Sequence, residues 1–469
     1  DKECITNRDR MFDCPQNLRE EEMFEVPEWA ANKVVYQIFP SRFAATEPVD
    51  KELWYKAPIT PMDDLHGNLR GIIEHMDDIQ NLGIDVLYMT PIFQSNSCHK
   101  YDTTDYYQID PSFGTTEDLK ELVQKAHERG MKVVLDAVYN HTGREFFAFA
   151  DILENGEKSK YRDWYFIDGF PLKSEWGEIP NFKCFGYYGG MPKLNLKNPE
   201  VEKYITDVAC YWIKECDIDG WRLDVGDEIS HFFWKNFRKA VKAVKKDMLI
   251  IGEIWHYAGD FLEGDEWDTV MNYPFYLNLI DLLADEKITV SQFVQNLGYL
   301  KGRLHKNCYP LMWNLIDSHD TARFLHLCND NKKKQHLAAA FQLLLPGMPM
   351  IYYGDEYAMP GANDPDCRRG MYWDEEYQDK EMYEWYKRLI QVRKSHACIV
   401  EGELAGSVTE DEEGTIVLIR KNGEETIAMI FNCSSSAKKF NAYTEKYNLL
   451  TENTFDGNVE GFDAAVIVL

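Results

Sequence analysis

Residues 219–225 read Asp-Gly-Trp-Arg-Leu-Asp-Val, an apolar segment with a carboxylate at its end. Three more apolar runs end in polar clusters in the same way. These clusters are Asp-Ala-Val-Tyr-Asn-His at residues 136–141, Gly-Glu-Ile-Trp at residues 252–255 and Asp-Ser-His-Asp at residues 317–320. In a β/α barrel the carboxyl ends of all strands meet on one rim. Four such clusters in succession therefore predict one site on the C-terminal rim of a barrel.

The remaining apolar pattern is typical of the same architecture. Eight continuous apolar runs are expected to form buried parallel strands. They cover residues 33–39, 84–89, 131–138, 219–224, 248–253, 268–271, 311–316 and 348–353. Amphipathic helices lie between them, for example at residues 116–129 and 199–216. This alternation predicts an α/β fold, a (β/α)8 TIM barrel with a parallel sheet.

The pattern divides the chain into four parts. Residues 1–30 are polar and lack a clear period, so we expect them to lie on the barrel surface. Residues 31–140 and 199–393 carry the barrel pattern, which the aromatic-rich and glycine-rich residues 141–198 interrupt after the third strand. A long irregular insertion inside a compact domain is usually functional. Short alternating segments in residues 394–469 predict a C-terminal antiparallel β domain.

Length and charge restrict the classes of function. A chain of 469 residues suits a barrel of about 250 residues or more with insertions and a small additional domain. No apolar stretch approaches the roughly 18 to 20 residues of a membrane span. The formal net charge of -28 repels nucleic acid and anionic membranes, so we expect neither as a partner.

Cysteine usage indicates the redox compartment. The chain has eleven cysteines and no CxxC pair, a pattern that favours reduced thiols in a cytoplasmic protein over disulfides. No signal peptide is visible. Because the first residue is Asp rather than Met, removal of a leader or of a larger N-terminal part stays open.

Asp224 and Glu253 are the candidate catalytic pair. Two carboxylates at successive strand ends can cleave a glycosidic bond, because one can attack the sugar carbon while the other protonates the leaving oxygen. Arg222 lies two residues before Asp224, so both side chains leave the same face of the strand, and the arginine favours the ionised carboxylate. Glu253 must begin the reaction protonated, and its apolar neighbours Ile254 and Trp255 disfavour its charge.

In these four clusters the chain closely resembles the α-amylase superfamily, glycoside hydrolase family 13, and the resemblance extends over residues 33–395. Residues 191–195, Met-Pro-Lys-Leu-Asn, resemble the signature of its neopullulanase and cyclomaltodextrinase subgroup. The resemblance implies a small domain B in the insertion. It also implies double displacement, with Asp224 as nucleophile, Glu253 as general acid and base, and Asp320 as the carboxylate that binds sugar hydroxyls and stabilises the transition state.

The resemblance further implies a set of substrate-binding residues. Tyr101 is expected to stack on the sugar beside the scissile bond, because an aromatic face suits the C–H face of a pyranose. Histidines beside the strand ends are expected to bind sugar hydroxyls, and Asp364 with Arg368 matches a sugar-binding pair of the subgroup. The predicted substrate-binding residues are His99, Tyr101, His141, Arg222, Glu228, Trp255, His319, Asp364 and Arg368.

The resemblance leaves a calcium site open without requiring one. Many α-amylases have Lys-His where this chain has Asp227 and Glu228, and the subgroup has Asn-Glu there. In those amylases the backbone of the histidine contributes to a calcium site beside the asparagine that corresponds to Asn140. Residues 44–49, Ala-Ala-Thr-Glu-Pro-Val, offer few oxygen ligands for a hard cation. We therefore predict that no cofactor is required, and we assign no metal ligand.

Together these features predict a cytoplasmic retaining hydrolase that cleaves α-1,4 bonds of maltodextrins, cyclodextrins or pullulan, with α-1,6 cleavage left open. The expected partner is an α-glucan oligosaccharide. Monomer and dimer both stay open, because the chain lacks room for the extra N-terminal β domain through which many relatives dimerise.

Two enzyme alternatives remain, a starch-degrading endo-α-amylase and a 4-α-glucanotransferase. A rival from another class is a catalytically inactive sugar-binding or transporter-associated subunit. Such subunits lack one or more catalytic carboxylates, whereas this chain has Asp224, Glu253 and Asp320.

Overall fold

A computed structural model of the chain describes residues 24–173 and 179–469. Eight parallel strands form a closed barrel in which each strand pairs with the next and the eighth pairs with the first. The strands are Val35–Ile38, Val86–Met89, Lys132–Ala137, Gly220–Leu223, Leu249–Gly252, Thr269–Asn272, Trp313–Asn314 and Met348–Tyr352. The predicted TIM barrel is confirmed, and all eight strands lie within or beside the predicted apolar runs.

Both faces of the barrel strands are buried, which explains why the runs are continuously apolar. Val35 packs into the barrel interior together with Val86 and Met350, its neighbours on the two adjacent strands. The next residue, Tyr36, belongs instead to the large core between the strands and the surrounding helices. Successive side chains on a strand point to opposite faces, so a strand buried on both sides needs apolar residues throughout.

Helices surround the barrel at the positions that the amphipathic pattern indicates. The helix Thr116–Glu128 begins with a capping box between Thr115 and Asp118, and Gly130 after it has a φ of +73°. The α-helices are Pro40–Phe43, Lys51–Trp54, Leu69–Glu74, Met76–Leu82, Thr116–Glu128, Phe147–Asn155, Pro199–Cys216, His231–Val244, Tyr273–Leu279, Val290–Gly302, Phe324–Leu327, Lys332–Leu344, Lys380–Ser395 and Cys398–Glu401.

Shorter elements fill the connections. A two-stranded sheet, Phe93–Ser95 with Thr103–Ile109, follows the second barrel strand. A π-helical turn covers Ile280–Ala284. The 3-10 helices are Gly156–Lys158, Arg162–Trp164, Phe185–Tyr187, Gly226–Glu228, Gly259–Phe261, Tyr309–Leu311, Asp355–Tyr357, Asp366–Arg368 and Asn441–Tyr443.

The insertion after the third barrel strand returns to the barrel rim through isolated β-bridges. His141 pairs with Lys193, and Cys184 pairs with Pro192. Leu194 donates its backbone N–H to the carbonyl of Asn140 at 3.0 Å. These bonds hold the end of the insertion beside the strand end from which it departs.

The C-terminal part is an antiparallel β structure, as predicted. Its main sheet has six strands, Glu403–Glu410, Thr415–Asn422, Glu425–Asn432, Asp463–Val468, Tyr447–Asn448 and Asn453–Thr454, in that spatial order. A two-stranded sheet joins Lys438–Lys439 with Asn458–Val459. The limits given above for the four parts of the chain stay predictions, and residues 1–23 of the N-terminal segment lie outside the described residues.

Two further observations concern the oxidation state of the cysteines and the question of membrane spans. The nine cysteines in residues 24–173 and 179–469 are free thiols. Across those same residues, no helix is both long enough and apolar enough to cross a membrane.

The side chain of Arg393 binds four backbone carbonyls at the amino-terminal side of the barrel. Its buried guanidinium donates to the carbonyls of Leu343 and Leu345 at 2.7 and 2.8 Å, and to those of Asn32 and Gly347. Burial lowers the pKa of Arg393 to about 9, so the group stays charged at neutral pH. One side chain thus joins the last helix around the barrel to the entries of the first and eighth strands.

We expect Arg393→Ala to lower the free energy of unfolding by about 3 kcal/mol or more, because it leaves several buried carbonyls without a donor. Urea unfolding measures this loss. Arg388→Ala on the same helix is the matched control. Because Arg388 pairs with Glu452 at the exposed surface, its loss should stay below about 1 kcal/mol. Equal losses in the two variants would contradict the assignment.

Candidate active site

Arg222 lies at the centre of the candidate site, on the fourth barrel strand, and is fully buried. Its Nη1 donates to Asp224 Oδ1 at 2.9 Å and to both carboxylate oxygens of Asp136 at 3.1 Å. Its Nη2 lies 3.0 Å from Glu253 Oε2 and 4.0 Å from Asp320 Oδ2. One guanidinium therefore draws together carboxylates from four different strand ends.

Strand register explains this assembly. The third and fourth strands place Asp136 directly opposite Arg222. Asp224 follows Arg222 by two residues and so leaves the same face. The backbone N–H of Asp224 donates to the third strand at 3.1 Å, and that of Glu253 donates to the fourth strand at 3.0 Å. The sheet ladder thus continues through both acidic residues and fixes their backbones.

The electrostatics of Asp224 combine opposing effects. Burial, and then the nearby Glu253 carboxylate, raise the pKa of Asp224 well above its ordinary value, while Arg222 lowers it. The arginine effect predicted from the sequence is present, but burial outweighs it. Burial and the Glu253 carboxylate therefore disfavour the ionised form of Asp224, and the Arg222 guanidinium favours it.

Glu253 is surrounded by donors as well as by apolar groups. Its Oε2 accepts the backbone N–H of Val225 at 2.8 Å, and its Oε1 accepts the indole Nε1–H of Trp255 at 3.1 Å. Val225 has φ +48° and ψ +42°, a left-handed conformation that β-branched residues rarely adopt. The strained turn directs the N–H of Val225 at the carboxylate. The prediction of apolar surroundings for Glu253 was therefore incomplete.

Asp136 is a central member of the site that the predicted set of residues omitted. Besides Arg222, it accepts hydroxyl hydrogen bonds from Tyr88 at 2.7 Å and Tyr101 at 2.8 Å. Burial raises the pKa of Asp136 to about 6, although its partners oppose the rise. The strand-end cluster at residues 136–141 already contained the signal for this residue.

Tyr101 and His319 form one buried layer of the site. The Tyr101 hydroxyl lies 2.7 Å from His319 Nε2, and the two rings are parallel with centroids 5.5 Å apart. The Gln37 amide nitrogen lies 2.7 Å from His319 Nδ1. Burial lowers the pKa of His319 well below its ordinary value, so its ring is neutral. His99 continues the layer, since its ring stacks 6.0 Å from that of Tyr101.

Arg368 and Asp364 form the predicted pair beside Asp320. Arg368 Nη1 lies 2.8 Å from Asp364 Oδ1, and its Nη2 lies 3.5 Å from Asp320 Oδ1. Its Nε donates to the carbonyl of His319 at 2.9 Å. Burial raises the pKa of Asp320. The pair is thus connected to the strand-end cluster that carries Asp320.

His141 and Trp255, two further predicted substrate-binding residues, differ in exposure. His141 is buried, its Nε2 lies 3.0 Å from the carbonyl of Tyr101, and its ring stacks 5.3 Å from Phe185 in the insertion. Burial lowers the pKa of His141 to about 4. Trp255 is 41% exposed, and its ring stacks on Tyr273 with centroids 3.9 Å apart.

Lys193, from the signature at residues 191–195, joins the insertion to the barrel rim. Its ammonium group donates to Asn140 Oδ1 and, at 3.0 Å, to the carbonyl of Glu228, and it lies 3.4 Å from Glu228 Oε2. These two residues are the ones that the resemblance connected with calcium. A positive charge from the chain itself therefore contacts the oxygens that a cation would bind.

The structure brings almost all predicted residues into one connected network. Glu228 lies at its edge, bound to Lys193 and half exposed. Sequence reasoning missed Gln37, Tyr88 and Lys193, whose contacts are all made to residues distant in the chain. Within the residues that the structure describes, no group of three or more His, Cys, Asp and Glu side chains could hold a metal ion.

Comparison with known proteins identifies the family. Residues 37–402 match the model of the α-amylase catalytic domain. A cyclomaltodextrinase from Geobacillus thermopakistaniensis is 44% identical over 95% of this chain and 77% of its own length. Neopullulanase 2 from Thermoactinomyces vulgaris is 42% identical over 88% of this chain and 72% of its own length. A solved cyclomaltodextrinase structure superimposes with a TM-score of 0.90 at 39% identity, covering 95% of this chain and 79% of that one. The chain belongs to the α-amylase family and is a glycoside hydrolase.

Proposed function

We propose that this chain is a retaining α-glucan hydrolase that acts on short maltodextrins and on cyclodextrins. The observation that carries the proposal is the pair of carboxylates from successive strands, Asp224 and Glu253, held by the two Nη atoms of Arg222. Two carboxyl groups on one cation lie close together, as double displacement requires. The names of the cyclomaltodextrinase and neopullulanase relatives support the substrate class.

Asp224 and Glu253 have complementary roles in the proposed reaction. Asp224 attacks the anomeric carbon and forms a glucosyl ester, while Glu253 gives its proton to the leaving glycosidic oxygen. Glu253 then takes a proton from a water molecule, whose oxygen attacks the same carbon and releases Asp224. Configuration is inverted twice and so retained overall.

The neighbouring residues bind and orient the sugar. Asp320 and the neutral His319 present an acceptor and a donor to ring hydroxyls next to the reacting carbon. Asp364 and Arg368 extend these contacts along the glucan. Beside Glu253, to which it donates its indole N–H, the partly exposed ring of Trp255 offers an apolar face to the leaving group.

The alternatives differ from this proposal in measurable ways. A 4-α-glucanotransferase would pass the glucosyl ester to a sugar hydroxyl rather than to water, so product analysis at high sugar concentration separates the two. An endo-α-amylase would prefer long chains. The inactive-subunit alternative is disfavoured, because Asp224, Glu253 and Asp320 all face Arg222 within 4.0 Å.

Lys193 supports the proposal that no calcium is required. Its ammonium group already contacts Asn140 and Glu228, so these residues do not fit a divalent cation while the lysine is present. The free thiols support a cytoplasmic location, which likewise remains a proposal.

We predict that Asp224→Asn and Glu253→Gln each lower kcat by at least about 10³-fold, because a nucleophile and a general acid contribute on that scale. The amides are nearly isosteric, so Tm should change little. Steady-state kinetics on maltotriose measures the loss. In the wild type, proton NMR of the fresh product should show the α anomer first.

Asp227→Asn is the matched control, since it makes the same chemical change three residues after the nucleophile. It should keep more than a tenth of wild-type kcat. If either catalytic variant kept more than a tenth of wild-type kcat, that residue would have no direct part in the mechanism. An initial β anomer in the wild-type product would contradict double displacement.

We predict that EDTA leaves most activity intact, because Lys193 supplies the positive charge that other family members take from calcium. Lys193→Ala should lower kcat/KM by about tenfold or more, as loss of a charged hydrogen-bond donor to two groups displaces the site wall. The matched control is Lys183→Ala, an exposed lysine of the same insertion. Complete inactivation by EDTA that calcium reverses would contradict this prediction.

The substrate class is tested by kcat/KM along the series from maltotriose to maltoheptaose, then for amylose and β-cyclodextrin. We expect the value to level off within a few glucose units and the ring to be cleaved, because each added sugar contributes only where a subsite exists. A value that rises through amylose, with no attack on the ring, would favour the endo-amylase alternative.

A further inference from the structure

Arg323 is a further buried arginine on the barrel rim, three residues after Asp320, and it is fully buried. Its Nη1 donates to Asp355 Oδ1 at 3.0 Å, and its Nε donates to the carbonyl of Cys367 at 3.2 Å. Its backbone N–H donates to the carbonyl of Gly361 at 3.0 Å. Because a buried charge is costly without well-placed partners, these contacts fix the side chain in one position.

Two buried tyrosine rings complete the surroundings of this guanidinium. The carbon at its centre lies 4.3 Å from the ring centroid of Tyr352 and 5.0 Å from that of Tyr353. Tyr352 also donates its hydroxyl to the carbonyl of Cys367 at 3.1 Å, the same carbonyl that Arg323 binds. A planar guanidinium stacks on aromatic faces and donates in several directions, whereas the ammonium group of lysine does neither as well.

Arg323 joins two segments of the rim. It belongs to residues 317–323, which come after the seventh strand and include Asp320. The two carbonyls that it binds belong to residues 361–368, which come after the eighth strand and include Arg368. One of these carbonyls is that of the residue immediately before Arg368. The backbone that carries Arg368 is therefore bonded directly to the segment that carries Asp320.

On the side of the catalytic carboxylates, the two segments meet through fewer contacts. Arg368 donates its Nε–H to the carbonyl of His319 at 2.9 Å, and Cys367 donates its thiol to the same carbonyl at 3.3 Å. The direct contact between Arg368 Nη2 and Asp320 Oδ1 is 3.5 Å long, which is at the limit of a hydrogen bond. The spacing of these two side chains thus depends on the backbones that carry them.

We propose that Arg323 is a positioning residue of the active site, which holds Asp320 and Arg368 at the spacing that the bound sugar requires. In the proposed mechanism both side chains contact one glucan, so a shift of either segment changes catalysis and binding together. A displacement of about 1 Å in an active site can lower the rate on the order of 100-fold. The proposal rests on the proposed hydrolase function and adds a residue that itself touches no substrate.

Arg323→Lys tests this role, because lysine keeps the charge but lacks the planar, multidirectional donor group. We expect kcat/KM for maltotriose to fall by about 10- to 100-fold, with a lower kcat and a higher KM. Loss of folded protein alone would lower the apparent kcat and leave KM unchanged. The matched control is Arg393→Lys, the same change at another buried arginine that binds backbone carbonyls, on the opposite side of the barrel. It should lower Tm and leave KM unchanged.

Asp355→Asn is a second and milder variant. It removes the negative charge that Arg323 Nη1 binds and keeps the shape of the side chain, so KM should rise in the same direction as in Arg323→Lys. A double-mutant cycle with Arg368→Ala tests the route. Arg323→Lys should raise KM less in the Arg368→Ala background than in the wild type, because the group that Arg323 positions is already absent.

Three results would overturn the proposal. One is a lower Tm of Arg323→Lys with kcat and KM unchanged, as expected of the Arg393→Lys control. Another is independent, additive effects of Arg323→Lys and Arg368→Ala. If Arg323→Lys does not fold, an unchanged KM of Asp355→Asn is the third. Calorimetric titration of the Glu253→Gln protein with maltotriose repeats the comparison without catalysis. If the wild type cleaves no glucan, the proposed function fails, whereas weaker maltotriose binding by Arg323→Lys in that titration still supports the positioning role and unchanged binding contradicts it.

Discussion

The buried guanidinium of Arg222 is the interaction on which the rest of the site depends. Each carboxylate removed from water loses hydration worth several kcal/mol, and only a well-placed counter-charge offsets that loss. Here one cation contacts Asp136, Asp224 and Glu253 at 2.9 to 3.1 Å. Its place is set by the register of adjacent parallel strands. The closed barrel is therefore what allows several acids to share one buried positive charge.

Neutral hydrogen-bonding groups, in addition to the Arg222 charge, orient the buried side chains of the site. Tyr88 and Tyr101 both donate to Asp136, so this carboxylate is oriented without further positive charge. His319 is held neutral by burial between Gln37 and Tyr101. Groups fixed in this way need little reorganisation when a substrate arrives, which is the main means by which enzymes stabilise transition-state charge. The neutral groups thus provide hydrogen bonds to the buried side chains without placing further charges beside the catalytic carboxylates.

Sequence predicted the barrel and the acids of the site because both follow short-range rules. A strand buried on both faces must be continuously apolar, and the residue after it must lie on the rim, so Asp224 and Glu253 could be placed from local pattern alone. Contacts across the fold leave no such pattern. Lys193 meets Asn140 over 53 positions of chain, and Gln37 meets His319 over 282. Only the tertiary structure shows that these side chains belong to the site.

The left-handed turn at Val225 shows that the barrel can hold a rim residue in a backbone conformation that its side chain disfavours. Strain of this kind costs on the order of 1 to 3 kcal/mol and persists only where neighbouring structure fixes it. The sheet ladder does so through the backbone of Asp224, which precedes Val225, and through the backbone of Glu253 on the next strand. The result is an N–H directed at Glu253, joined by the indole N–H of Trp255. Both donors serve the carboxylate that remains once Glu253 has given its proton to the leaving oxygen. In the proposed mechanism these two N–H donors therefore stabilise the negative charge that develops on Glu253 as it gives up its proton. Stabilisation that grows toward the transition state accelerates the reaction.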